Sequence, residues 1–366
     1  MLSSAGTKTV YAWKAKTVFK ELMRAIDETT PGYPTIQSYL LDAFDNILLT
    51  SGDALRGLGG GLKTSFNDFF KFCDVVFGGV GFKVDDTEKA ILESIYNFYP
   101  DSQIVSLGEV SNLSIKPYQQ FFASSVDIGY KDVNIDNGSL NGKFAFNTVQ
   151  NYTLPITKVE KKEDLLCPYI ADPVSITLTA INRENKTTTD SSQDNDIFIL
   201  VCKSTGTGTA ILERDNDYVN APTGYMTQEG IFNTLISPKR LMLYRTRMFA
   251  SMLFQLTDKN IKFTSTNKNK ELISRRVGET ANIVEKDNID ESLFLPPLFR
   301  PELIECEAPI TKQTIAALST VDGYLAFTYK GVALKGYIYD IGYEADRINK
   351  FKLTLISHKD NDYSNL

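Results

Sequence analysis

The C-terminal part of the chain carries three consecutive strand patterns, and these constrain the fold more than any other feature of the sequence. The patterns are Gly323–Tyr329, Val332–Ile341 and Asn349–Ile356. Lys330-Gly331 fits a tight turn between the first two. In the third, Phe351, Leu353 and Leu355 alternate with polar residues, so one face is buried and the other is solvated. We expect an antiparallel β-meander whose last strand is a free sheet edge.

The first hundred residues combine helical patterns with a strand pattern. Apolar residues recur at helical spacing from Lys14 to Glu28. A second helical pattern begins after Ser65, a suitable N-cap, and ends at Gly78-Gly79. The alternation over residues 80–84 then predicts a strand. The sequence therefore predicts an N-terminal α+β module.

The centre of the chain is rich in short strand patterns and holds one long helical pattern. Ser237-Pro238 suits the start of a helix, which we expect over about residues 238–254. The secondary structure of Tyr169–Ile181 is not decided by the sequence. Its β-branched residues favour a strand, while Asp172-Pro173 could begin a helix. The clearest strand patterns are Phe144–Val149, Asp196–Cys202 and Ala210–Glu213, and the polar stretch Asn182–Asn195 predicts a surface loop.

These patterns predict an α+β, strand-rich fold of more than one module. No regular alternation of strands and helices is present, which disfavours a doubly wound or TIM-type fold. The length of 366 residues exceeds that of a typical domain. We expect a helix-strand module over residues 1–110, a β-rich centre with one long helix over 111–300, and the C-terminal antiparallel β-meander over 301–366.

The content of histidine and cysteine argues against the commonest kinds of active site. The one histidine, His358, lies in a polar C-terminal stretch, which removes the simplest routes to triad and zinc chemistry. The four cysteines lie too far apart in sequence for a C-x-x-C pair, and their apolar contexts predict buried, reduced thiols: Cys73, Cys167, Cys202 and Cys306. We predict no catalytic, cofactor-binding or metal-binding residue.

Two further kinds of residue are compatible with binding, and each has a simpler interpretation. The glycines of Gly57-Leu-Gly-Gly-Gly61 lack the lysine and hydroxyl residue of a phosphate-binding loop and fit a flexible turn. Loop carboxylates could hold calcium or act as an acid pair, but their spacing matches neither site, and solvated loop acids are favoured. The acids in question are Asp85, Asp86, Asp194, Asp196, Asp215 and Asp217.

Basic residues concentrate on the helix predicted after Pro238. They are Lys239, Arg240, Arg245 and Arg247. Cations in the first turn are disfavoured by the helix dipole, so an anionic partner is one interpretation. Pairing with acids elsewhere in the chain is the other.

Overall charge and hydropathy narrow the possible partners and location. A net charge of −6 argues against general nucleic-acid binding, which needs a basic surface. The apolar runs are shorter than the roughly 18 residues of a membrane span, and residues 1–6 have no apolar signal-peptide core. We expect a soluble protein made in the cytoplasm, with no membrane partner and no cofactor.

Several segments resemble virion proteins of tailed bacteriophages. Lys335-Gly-Tyr-Ile-Tyr-Asp-Ile341 and the strand after it are similar to the terminal meander of tail-hub and baseplate proteins. The other segments are Thr50-Ser-Gly-Asp-Ala-Leu-Arg56, Lys63-Thr-Ser-Phe-Asn-Asp-Phe-Phe70 and Ser237-Pro-Lys-Arg-Leu-Met-Leu243. The resemblance implies a non-enzymatic subunit in a symmetric ring or tube, and it supplies no catalytic residue.

Three functions stay open on the sequence. The first is a virion structural subunit, assembled in the host cytoplasm as a homo-oligomer with other tail proteins. The second is a carbohydrate- or cell-surface-binding module, because abundant aromatics serve subunit interfaces and sugar stacking equally. The third is a hydrolase that uses carboxylates. The chain could also be a segment of a longer polypeptide.

Overall fold

The computed structural model describes most of the chain. The described residues are 9–27, 35–132, 148–181, 193–206, 208–215, 217–219, 231–266, 272–276, 278–309, 322–343 and 350–366. Residues 182–192 of the loop predicted over 182–195 and residues 144–147 of the strand predicted over 144–149 lie outside them. The structure is 24% helix and 40% strand, which confirms the predicted strand-rich α+β fold.

Helices occupy three places along the chain. The helices of the first hundred residues are α1 (Ala15–Ile26), α2 (Tyr39–Ala43), α3 (Gly52–Arg56) and α4 (Phe66–Val76), followed by α5 (Pro173–Ile181), α6 (Pro238–Tyr244) and α7 (Thr246–Met252). Ser65 caps α4 as predicted, because its hydroxyl accepts the Asp68 N–H at 3.1 Å. In Tyr169–Ile181, for which the sequence allowed a strand or a helix, the structure has a helix that begins at Pro173.

The single helix predicted over 238–254 is divided into α6 and α7 at Arg245. There the backbone turns to φ −97°, ψ 8°. The Arg245 guanidinium reaches α4, where it donates to the Asp74 carboxylate at 2.6 Å and to the Asp74 carbonyl. Gly78 lies directly against the Tyr244 backbone. The periodicity of the side chains continues through this break, so the sequence pattern alone could not reveal it.

Among the described residues, the strands of the N-terminal and central parts form five small sheets. Their orders are β1-β3-β11-β12, β2-β5-β4, β10-β8-β9-β16, β13-β15 and β14-β17-β18. The first eight of these strands are β1 (Trp13–Lys14), β2 (Ile36–Gln37), β3 (Ile47–Ser51), β4 (Val80–Val84), β5 (Ala90–Ser94), β8 (Ser125–Tyr130), β9 (Val149–Thr153) and β10 (Lys162–Cys167). The others are β11 (Ile197–Gly206), β12 (Thr209–Leu212), β13 (Arg214–Asp215), β14 (Asp217–Val219), β15 (Ile231–Phe232), β16 (Lys262–Thr266), β17 (Ile273–Arg275) and β18 (Ile283–Val284).

The sixth sheet has six strands and contains the predicted meander. Its order is β6-β20-β21-β22-β19-β7. The strands are β6 (Gln103–Glu109), β7 (Ser111–Pro117), β19 (Phe299–Pro309), β20 (Tyr324–Tyr329), β21 (Val332–Tyr343) and β22 (Lys350–His358). Strands β20, β21 and β22 pair antiparallel in sequence order, as predicted. However, β22 lies between β21 and β19, so the prediction that the last strand is a free edge is wrong.

The six-stranded sheet curls into a barrel. Its outermost strands β6 and β7 are separated in sequence only by Val110, and the strand pairings give them the same direction. They therefore form one bent strand that brings the two sides of the sheet together. Gly108 (φ 75°) and Asn112 (φ 53°) lie at the bend. A common core draws on all six strands and includes Leu107, Ile304, Phe327, Leu334, Leu355 and, partly buried, Ile115.

A second, larger core joins α1, α4 and the small sheets. Phe19, Phe69 and Phe72 are fully buried within it. The outer face of the barrel packs on this body through Phe299 and Tyr337. The barrel takes strands from all three predicted modules, and the division near residues 110 and 300 stays a prediction. No helix within the described ranges is both long and apolar enough to cross a membrane.

Candidate functional site

The one histidine lies at the end of β22, where it is buried and not in a polar tail. The His358 side chain is 0% exposed. The rings of Tyr324 and Tyr337 lie beside it, with centroids 4.9 Å and 5.4 Å from the imidazole centroid. The sequence around His358 is polar, but the barrel covers the ring from the side of β20 and β21. This environment could be predicted only from the strand pairing.

The hydrogen bonding of the imidazole defines its proton position. Nδ1 of His358 accepts the Asp360 backbone N–H at 3.2 Å. We therefore assign the proton of the neutral ring to Nε2. Nε2 lies 3.2 Å from Asp101 Oδ1 without meeting the geometry of a hydrogen bond. In this tautomer neither ring nitrogen offers a free lone pair to a substrate.

Four charged side chains surround the histidine. Lys359 Nζ donates to Asp101 Oδ2 at 2.8 Å and lies 3.3 Å from Asp360 Oδ2. Lys335 Nζ lies 3.9 Å from the same Asp360 oxygen. Burial, with the positive charge of Lys359, lowers the pKa of His358 despite the two carboxylates. The hydrogen bond from Lys359 lowers the pKa of Asp101.

Asp101, His358 and Asp360 could in principle hold a metal ion, since their ligand atoms lie within 4.8 Å of one another. Two features disfavour this. The Lys359 ammonium already contacts both carboxylates. In addition, Nε2 carries the ring proton in the assigned tautomer. The cluster fits a structural role better, because it ties the segment before β6 to the segment after β22.

The four thiols are poor nucleophiles in this fold. All four are free and buried. Burial raises the pKa of each thiol, that of Cys202 and that of Cys306 to about 12. A thiol held in its neutral form reacts slowly, because the thiolate is the reactive species. The predicted burial of the thiols is therefore confirmed.

Two of the predicted solvated acids are in ion pairs. Asp194 is only 5% exposed, and its Oδ1 lies 2.6 Å from the guanidinium of the equally buried Arg56. For Asp194 the prediction of a solvated loop acid is wrong. Asp196 pairs with Lys131 at 2.7 Å. Sequence reasoning could not find the Arg56–Asp194 pair, because it depends on the pairing of β3 with β11, which places α3 against residue 194.

The other residues predicted to lie in loops stabilise a turn, end a helix or lie in short strands. Asp85 accepts hydrogen bonds from Thr87 and from the Lys89 N–H, as in a turn. Gly57 is the left-handed C-cap of α3 (φ 78°), which agrees with the turn interpretation of the glycine-rich segment. Asp215 lies in β13 and Asp217 in β14, so the prediction that these two acids lie in loops is wrong.

The basic residues around α6 have partners inside the chain. Arg240 pairs with Glu279, its Nη2 donating to Oε2 at 2.7 Å. Lys239 Nζ donates to the Asp287 and Asn288 carbonyls, and Arg247 stacks on the Tyr96 ring at 5.1 Å. Arg245 is paired with Asp74, as described above. Interactions within the chain therefore explain the cluster of basic residues, and no anionic partner is needed.

A buried acid that sequence reasoning did not select lies under α6. Glu285 is 0% exposed, and its Oε2 accepts the Gln150 amide at 2.7 Å and the Lys239 N–H at 2.9 Å. From the turn after β18 it thereby caps α6, while the Ser237 hydroxyl makes no cap. Burial raises the pKa of Glu285, and these hydrogen bonds oppose the rise.

No protein-family model matches this chain, and neither a curated protein nor a solved structure does.

Proposed function

We propose that the chain is a non-enzymatic structural subunit of the tail or baseplate of a tailed bacteriophage. It associates with copies of itself and with other tail proteins in a ring or tube, within a virion assembled in the host cytoplasm. The proposal joins the sequence resemblance to the chemistry and architecture described above.

The barrel is the observation that carries this proposal. The segment that resembles tail-hub proteins, residues 335–341, lies in β21, and the strand after it is β22. Both are interior strands of the barrel. A barrel satisfies most of its backbone hydrogen bonds internally and keeps a fixed shape. A fixed shape suits a subunit that must repeat the same contact many times.

The chemistry of the described residues supports a role without catalysis. The neutral imidazole of His358 has no free lone pair in the assigned tautomer, and its ring is enclosed. The thiols are neutral and buried. Asp194, Arg240 and Arg245 have close ion-pair partners at 2.5–2.6 Å. These groups stabilise the fold and leave little reactivity for a substrate.

Electron microscopy of the purified protein tests the proposal. The chain is imaged alone and then mixed with the products of genes neighbouring its own. Rings, tubes or defined complexes are the expected result. A protein that stays monomeric in every mixture contradicts the proposal.

A second candidate function is glycan binding, favoured by the exposed Tyr339 and the half-buried Tyr118 beside it. Tyr339 is 46% exposed, and its ring contacts that of Tyr118 with centroids 5.5 Å apart. Exposed aromatic faces can stack on sugars. A glycan array compares the wild type with Tyr339→Ala. Saturable binding by the wild type, lost in the variant, favours this function, and no binding by the wild type removes it.

A further inference from the structure

Among the described residues, β7 is one of the two barrel strands, with β6, that have a strand neighbour on one side only. Within the described residues β7 pairs with β19 on one side and with no strand on the other. Its Leu113 and Ile115 point to the barrel core but are only partly buried, whereas Ile304 beside them on β19 is 0% exposed. A strand edge of this kind presents unpaired N–H and C=O groups to solvent.

The features that protect this edge against pairing lie at its two ends. Strand edges are usually guarded by charges, prolines or bulges. The one charged residue of β7, Lys116, is directed to β19, where its Nζ lies 2.8 Å from Glu305 Oε2. Asn112 (φ 53°) marks an irregularity at the start of the strand, and Pro117 lies at its end. Residues 113–115 between these features remain available for pairing.

We propose that β7 pairs antiparallel with β7 of a second copy of this chain, with the two strands centred on Ser114. The sequence of β7 is self-complementary in this register. Leu113 faces Ile115 of the second copy, so apolar residues meet on the core side. Lys116 faces Asn112 of the second copy, so no like charges lie opposite each other. Ser114 faces its own equivalent.

The contact has two-fold symmetry and joins two barrels through one continuous sheet. Pairing of equivalent strands about a two-fold axis is an isologous interface, the commonest kind in soluble oligomers. Main-chain hydrogen bonds supply affinity, and the covered Leu113 and Ile115 supply apolar burial. The inference does not depend on the proposed virion role, because it concerns two copies of this chain alone.

A cysteine at the two-fold axis tests the register directly. Residues directly opposite in an antiparallel pair have Cα atoms about 4.5–5.5 Å apart, which a disulfide can bridge. We expect Ser114→Cys to form a disulfide-linked dimer under mild oxidation. The matched control is Ser106→Cys, exposed on β6. The native thiols do not interfere, since all four are buried. Equal crosslinking of the two variants contradicts the inference.

A charge variant tests the same contact in solution. Sedimentation of the wild type over a concentration series should show a monomer–dimer equilibrium. Ser114→Lys places like charges opposite each other and should raise the dissociation constant about ten-fold, with unchanged circular dichroism. Ser114→Thr, which suits a strand, should dimerise as the wild type does. A wild type that is monomeric throughout, or a dimer that Ser114→Lys leaves intact, overturns the proposal.

Discussion

Buried charge is the feature that most affects stability at the scale of single residues. Asp194 and Arg56 neutralise each other where both are nearly inaccessible to water. Removal of one partner leaves the other charge buried without this counter-charge. Breaking this ion pair is therefore expected to change the free energy of unfolding by more than the pair itself contributes to it.

We expect Asp194→Ala to lower the free energy of unfolding by about 3–5 kcal/mol, because the buried Arg56 guanidinium loses the carboxylate that lies 2.6 Å from it. Urea denaturation followed by circular dichroism measures the change. The matched control is Asp196→Ala, whose partner Lys131 has a side chain 49% exposed, with an expected loss below about 1 kcal/mol. Equal losses in the two variants would contradict the interpretation of Asp194.

Glu285 should make stability fall as pH rises. Its pKa is raised in the folded state, so folding favours the protonated acid. The stabilisation is fully present below the ordinary value of 4.5 and is lost as pH rises from there through the folded pKa. Glu285→Gln, which is neutral and of similar shape, should remove this dependence. Urea denaturation from pH 4 to 8 compares the two proteins, and parallel pH profiles would contradict the prediction.

His358 should have the opposite effect. Its folded pKa is lowered from 6.5, so folding favours the neutral ring. The stabilisation is full above 6.5 and is lost as pH falls from there through the folded pKa. His358→Gln should unfold with a flatter pH dependence in this range. Because the two effects have opposite signs in the wild type, single variants are needed to separate them. A variant profile as steep as that of the wild type would exclude His358 as the source.

At the scale of secondary structure elements, the position of β22 decides what a proline would do there. Thr354 pairs with Glu305 of β19 and with Asp340 of β21. Thr354→Pro therefore removes a ladder hydrogen bond, whichever way the N–H points. We expect the barrel to lose cooperative unfolding, seen in thermal melts, while Thr354→Val retains it. A Thr354→Pro protein that folds and unfolds cooperatively would indicate that β22 is an edge strand.

The elements that the sequence predicted well are those set by local signals. The Ser65 cap, the Gly57 turn and the alternation of Phe351, Leu353 and Leu355 are readable within a few residues. The elements that it missed depend on distant partners. Arg245 breaks a helix because Asp74 holds it, and β22 is interior because β19 joins it from outside the meander. The cluster around His358 likewise needs Asp101, which no local pattern connects to β22.

At the scale of the whole molecule, the barrel depends on two separate stretches of the chain. Residues 299–366 contain four of its strands and lack β6 and β7. We expect this fragment alone to show no cooperative unfolding by circular dichroism, since Leu334 and Leu355 lose their cover. Adding residues 103–118 at its N-terminus through a short flexible linker should restore it, because the Tyr118 N–H bonds the Pro301 carbonyl at 2.9 Å. A cooperative fragment without these residues would show that the bent strand is dispensable.

The bent strand also sets the order of events during synthesis. Residues 103–117 leave the ribosome before residues 118–298, and only then do their partners in β19 and β20 appear. Contacts so distant in sequence form slowly, because a long loop must close first. The bent strand therefore spends that interval with its apolar residues uncovered, as a nascent segment exposed to aggregation and to chaperones.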